Sequence, residues 1–168
     1  MDKLTNIITR ILSIILIILM AVMVLDVSWQ VFTRFILQDP SSFTEELAGF
    51  LLIWIGLLGS SYALYTKAHL GIDVLTSKLS GARKQLAQLL IHLIVILFAV
   101  FVLVIGGIRL VNITLTLEQI SPALGIPMGY VYLVLPFTGI LMIYYSMISL
   151  IQVVLKKEQI ESKVAGID

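Results

Sequence analysis

The stretch QLAQLLIHLIVILFAVFVLVIGGI, residues 85–108, holds no Asp, Glu, Lys or Arg. At about 1.5 Å per residue it is longer than the roughly 20 apolar residues that cross a hydrocarbon core about 30 Å thick. It is too long and too apolar for the core of a small soluble domain. Three further stretches share this character. Ile11 to Leu25 lies uncharged inside a longer apolar segment, Leu47 to Thr66 is uncharged throughout, and the longest uncharged run goes from Gln119 to Leu155. Ser121-Pro122 and Gly125-Ile126-Pro127 punctuate the start of that last run as loop residues, so its span begins near Gly129. The expected fold is all-α integral membrane. Its four transmembrane helices cover about 7–35, 45–66, 85–110 and 129–155, within one membrane domain over residues 1–168. Strict alternation over ten residues is found nowhere, which argues against a β-barrel.

Composition supports this reading. The chain has 168 residues, 60% apolar and 12% charged, with a mean hydropathy of +1.08. Soluble domains carry about 25% charged residues, and this chain lacks the polar coat they need. A net charge of +1 and basic residues no denser than pairs exclude nucleic-acid binding, and the absence of Cys excludes a disulfide scaffold. The first apolar segment follows Lys3 and Arg10, as a signal peptide would. It is long, however, and Asp26-Val27-Ser28-Trp29 makes a poor cleavage site, so it is expected to stay as a helix.

Lys and Arg near the spans set the orientation. Lys3, Arg10, Lys67, Lys78, Arg83, Lys84, Lys156, Lys157 and Lys163 fall on one side of a four-span chain, with only Arg34 and Arg109 on the other. Both termini and the middle connection are therefore expected in the cytoplasm. Leu70, Val74, Leu75 and Leu79 in that connection suggest a short amphipathic helix at the headgroups, with His69 and Asp73 neighbours four residues apart.

On the outer side, Ser42-Phe43-Thr44-Glu45 matches a capping box, and Glu45 and Glu46 sit in the first helical turn. They read either as helix-capping carboxylates or as an acidic contact point. The segment from Ser121 to Pro127, stiffened by Pro122 and Pro127, is apolar for an outer loop and should pack on something.

Ionisable groups inside the spans are few, and such groups are functional suspects. Asp26, Gln30 and Arg34 form one stripe at spacing four. Asp26 lies roughly 28 Å along the helix from Ile7, at the outer third. That suits an ion pair locking the helix to a neighbour better than an ion-translocating acid. His92 is expected as a hydrogen-bonded core or interface residue. Gly56, Gly59 and Ser60 permit close helix approach, within the bundle or with a partner, and Pro136 should kink the fourth helix. No catalytic motif, phosphate loop or pair of broken half-helices is found. These residues describe a non-enzymatic membrane subunit without a cofactor that works with a partner. A haem- or quinone-binding anchor of a redox complex is the alternative. It needs matched His ligands, and His69 and His92 do not supply them. An autonomous exporter would need a central carboxylate, and Asp26 lies too far out.

The order of motifs resembles the small membrane subunit (DctQ-like, Q subunit) of the tripartite ATP-independent periplasmic (TRAP) transporters. The matching residues are Val31-Phe32-Thr33-Arg34-Phe35, Thr44-Glu45-Glu46-Leu47-Ala48 with Trp54, the segment from His69 to Leu75, and Ser121 to Pro127 with Tyr130 and Pro136. They extend over about residues 10–150. Gly49 stands where the family pattern carries a basic residue. The resemblance implies a bacterial inner-membrane protein paired with a large elevator-type subunit that holds the substrate and sodium sites. It also implies a periplasmic substrate-binding protein, and organic acids such as C4-dicarboxylates, sialic acid or other sugar acids as cargo. The small subunit would enlarge the static scaffold and help dock the binding protein.

Overall fold

In a lipid core every backbone N–H and C=O must be satisfied within its own segment, so long apolar stretches become helices. A computed structural model of the chain has this form. It describes residues 2–39, 41–66 and 82–164, with side chains to Gln152. The expected interfacial helix, with His69 and Asp73, lies outside the described residues.

Helix α1 (Asp2–Phe32) runs on through a π-helical turn (Thr33–Leu37), and α2 is Ser42–Tyr65. Helix α3 (Ala82–Phe98) continues through a π-helical stretch (Ala99–Gly106) into α4 (Gly107–Thr116). A short α5 (Met128–Tyr132) leads into α6 (Val134–Val164). Four helical segments are long and apolar enough to cross a membrane: Lys3–Leu37, Ser42–Tyr65, Leu86–Thr116 and Met128–Gln152. The fourth is interrupted at Leu133, three residues before Pro136. Proline removes one helical hydrogen bond and clashes with the carbonyl of the residue four before it, here Tyr132, which ends α5.

The helices pack as a row. Helix α1 lies on α2, α2 on α6, and α6 on α3 and its π-helical stretch. Among the described residues no substantial contact joins α3 to α1 or to α2. The core is correspondingly thin: Leu12, Leu58, Leu64, Ala99, Leu103, Val134, Met142 and Tyr145. Three glycines set the closest approaches. A Cβ at Gly139 would stand 2.7 Å from Val104 Cγ2 and 2.9 Å from Leu103 Cβ. One at Gly107 would stand 2.9 Å from Leu135 Cβ, and one at Gly129 would run into Leu115 Cγ. Gly56 and Gly59 have no such neighbour within 4 Å, so the small-residue step on α2 is not used inside the bundle.

Side-chain hydrogen bonds fasten the row at both ends. Near the N-terminus of α1, the Thr5 and Thr9 hydroxyls lie 3.1 and 3.2 Å from the Tyr144 and Tyr145 hydroxyls of α6. Tyr65 of α2 donates to Asn6 Oδ1 at 3.2 Å, and its ring packs 5.0 Å from that of Tyr145. Trp54 Nε1 donates to the Val131 carbonyl at 3.0 Å, taking up an acceptor beside the interruption in the fourth span. Burial is uneven: only 6% of the most apolar part of the first span is buried, against 28% in the fourth. The first span is thus half-buried along its contact with α2 and leaves its remaining faces to lipid or to another chain.

Candidate functional site

The α1–α2 turn and the segment joining α4 to α5 lie at the same end of the row, and most of the polar chemistry gathers there. Helix α4 ends in a Schellman motif. Gln119 N–H donates to the Thr114 carbonyl at 3.0 Å and Glu118 N–H to Leu115 at 3.1 Å, with Glu118 left-handed at φ 49°. The chain then doubles back as a small hairpin. Ser121 N–H donates to the Ile126 carbonyl at 2.9 Å, Met128 N–H donates to Gln119 at 2.8 Å, and Ile120 bridges Pro127. Gly125 closes the tip at φ 65°, a conformation glycine adopts without strain. Pro122 is exposed on the tip, Pro127 is half-buried at its base, and Ser121 is buried.

Glu46 holds this hairpin to α2. Its Oε2 accepts the Ala123 N–H at 2.9 Å and the Leu124 N–H at 3.0 Å. A carboxylate taking two converging backbone donors is a charge-assisted clamp. The expected packing of the outer loop is thus found, with an acid of α2 as its anchor. The expected capping box is not. The cap of α2 is Ser41, with no side-chain cap bond, and the Thr44 hydroxyl donates back to the Ser41 carbonyl at 2.9 Å. With the helix starting one residue earlier, Glu45 falls a position too late to reach back to the cap. Glu45 is left exposed while its neighbour is engaged.

The stripe on α1 divides as well. Asp26 is only 8% exposed, and its Oδ2 has no hydrogen-bond partner. Gln30 and Arg34, further along the same face, line a cleft of about 270 Å³ together with Ser41 and Glu45. Arg34 follows the point where the helix widens. Gln38 N–H bonds back to the Thr33 carbonyl and Asp39 N–H reaches the same oxygen at 3.2 Å, with Gln38 at φ 55°. Among the described residues neither Asp26 nor Arg34 is in an ion pair, so no such pair locks α1 to another helix of this chain. Nothing in the sequence announced the cleft, since Ser41 and Glu45 reach it only through the turn.

His92 is half-buried on α3. Among the described residues no group of three or more His, Asp or Glu side chains could hold a metal ion. The arrangement at the α1–α2 end offers hydrogen bonding and charge at a rigid surface.

Comparisons with known proteins agree with this geometry. Residues 23–156 match the family model described as the DctQ component of tripartite ATP-independent periplasmic transporters. The sialic acid TRAP transporter small permease protein SiaQ of Vibrio cholerae is 30% identical over 86% of this chain and 82% of its own length. A putative TRAP transporter small permease protein of Haemophilus influenzae is 28% identical over 84% of this chain and 86% of its own. The isethionate TRAP transporter permease protein DctMQ of Oleidesulfovibrio alaskensis is 31% identical over 55% of this chain, a match covering 14% of that longer protein. The redox-anchor alternative finds no support. With four apolar helices and a family match across most of its length, this chain is a multi-pass inner-membrane protein of the DctQ family, a small permease subunit of TRAP transporters and not an enzyme.

Proposed function

We propose that this subunit enlarges the static scaffold of a large, elevator-type TRAP permease that couples organic-acid uptake to sodium. Its α1–α2 end would face the periplasm, both termini the cytoplasm, and the clamped hairpin would help dock a periplasmic binding protein. The observation that carries this reading is the clamp itself, in which Glu46 and the 119–128 hairpin make one rigid polar-rimmed surface at one end of the row. A binding surface ordered beforehand loses less entropy on association. The nine-to-two division of Lys and Arg supports the orientation. The fused relative DctMQ, in which the matching region is a small part of one long permease chain, supports pairing with a large subunit. The relatives' names include sialic acid and isethionate, and on this reading the choice of cargo belongs to the large subunit and the binding protein.

The test is reconstitution. Proteoliposomes holding this chain with its large permease, supplied with binding protein and a sodium gradient, should accumulate an organic acid. Vesicles holding this chain alone should not, and robust accumulation by them would overturn the scaffold reading. In the complete system, Glu45→Lys should raise the binding-protein concentration needed for half-maximal uptake, because rim charges act on encounter. An unchanged titration would remove the docking role from this surface.

A further inference from the structure

The cleft between the end of α1 and the start of α2 is lined by Gln30, Arg34, Ser41 and Glu45, of which only Glu45, at its rim, also figures in the docking role. It holds one fixed cation, one carboxylate, one amide and one hydroxyl. The two charges line the same space and are not paired with each other. Opposite charges that share a cleft without meeting are complementary to a ligand that carries both signs.

Position narrows the ligand. The first span is 35 residues long, about 52 Å at helical rise, so its ends project beyond the hydrocarbon into the headgroup layers. The cleft is at such an end. Around it are exposed aromatics: Trp29 stacked on Phe32, with Phe35 73% and Phe43 49% exposed. Aromatic rings of this kind settle at the membrane–water interface, apolar side inward. At about 270 Å³ the space is below the usual range for drug-sized ligands, which suits a headgroup whose acyl chains run down the exposed apolar face of α1.

We propose that this cleft binds the phosphoethanolamine headgroup of a phospholipid. The phosphate lies on Arg34, with the Ser41 hydroxyl as a second donor, and the primary ammonium donates to Glu45 and to the Gln30 carbonyl oxygen. Arg is suited to phosphate because its planar fork presents parallel donors. An ammonium with three N–H donors matches a carboxylate and an amide oxygen. Charge balance selects among lipids. The cleft itself carries one guanidinium and one carboxylate, so a headgroup with one charge of each sign balances it. A glycerol headgroup with only a negative phosphate meets Glu45 without compensation. A choline headgroup has the positive charge but no N–H to donate.

Native mass spectrometry of the full chain co-purified with its large permease, delipidated and then offered lipids of identical acyl chains, tests this. Binding is read without the periplasmic protein, so a failed docking role and a failed lipid site give different results. Phosphatidylethanolamine should be retained over phosphatidylglycerol and phosphatidylcholine by about fivefold or more, a comparison that needs no variant. Arg34→Gln should lower its retention roughly tenfold, the usual weight of one charge-assisted bond. Glu45→Gln should abolish the preference over phosphatidylglycerol, and Arg109→Gln, at a cation outside the cleft, should change nothing. Equal retention of the three lipids, or loss with Arg109→Gln as large as with Arg34→Gln, would overturn the assignment. So would soluble phosphoethanolamine that displaces the lipid at equal concentration, which would mark the site as one for a free metabolite. A cleft filled instead by side chains of the large subunit would show as no lipid retained in the wild-type complex.

Discussion

Glu46 and Glu45 are adjacent acids with different tasks, and the difference arises from a helix start displaced by one residue. Glu46 accepts two amides from a segment 77 residues away, while Glu45 faces the cleft. Glu46→Ala should raise hydrogen-exchange rates at Ala123 and Leu124, while the amides of α2 keep their protection. Unchanged exchange at those two positions would mean the hairpin holds without its anchor. Asp26 is the opposite case, a buried carboxyl with an oxygen that bonds to nothing. An unmatched polar group away from water costs more than an apolar one of similar size. Asp26→Leu should therefore raise the melting temperature of the isolated chain, and a lower melting temperature would show that the carboxyl is satisfied. The residue types at this end were legible in the sequence as a polar stripe and an acidic turn. Their partners were not, because a carboxylate on α2 and the amides of residues 123 and 124 meet only when the helices pack.

The fourth span shows how one element depends on another. Pro136 breaks it at Leu133, as the sequence leads one to expect, and the broken turn offers the Val131 carbonyl to Trp54 on α2. Removing that donor with Trp54→Phe should cost about 1 kcal/mol, seen as a lower melting temperature with the helix content retained. The glycines give a sharper contrast. Gly139→Ala forces a Cβ against Val104 and Leu103 and the Ala99 carbonyl, an overpacking that costs about 1–3 kcal/mol. Gly56→Ala meets nothing within 4 Å and should leave the isolated chain as stable or slightly more so, since alanine is the better helix former. Gly56→Leu, also tolerated by the isolated chain, should weaken co-purification with the large permease if α2 offers its small-residue face there. Unimpaired assembly would place that contact elsewhere. Periodicity alone did not separate the two sets of glycines, because spacing shows which residues share a face and not what stands opposite.

Over the whole molecule, packing in a row leaves both sides of the helix layer open, as a subunit built to lie against a larger one requires. The proposed orientation has a direct measurement. The chain has no native Cys, so Ser42→Cys reports alone, and it should react with an impermeant reagent on intact spheroplasts. Reaction only after lysis would invert the topology. What the amino-acid sequence determined by itself was the class of structure and its number of spans. Hydrocarbon leaves a charge-free stretch of this length no option but a helix, and that constraint is local to each segment. The break at Pro136 was legible for the same reason, since proline acts on its own backbone. Tertiary structure alone decided that α6 lies between α2 and α3, that Glu46 belongs to the hairpin and Glu45 to the cleft, and that Gly139 is packed while Gly56 is bare. In lipid no hydrophobic gradient tells one apolar helix face from another, so helix order follows from van der Waals fit and a few hydrogen bonds. Those depend on pairs of residues far apart in the chain, which no single stretch of sequence contains.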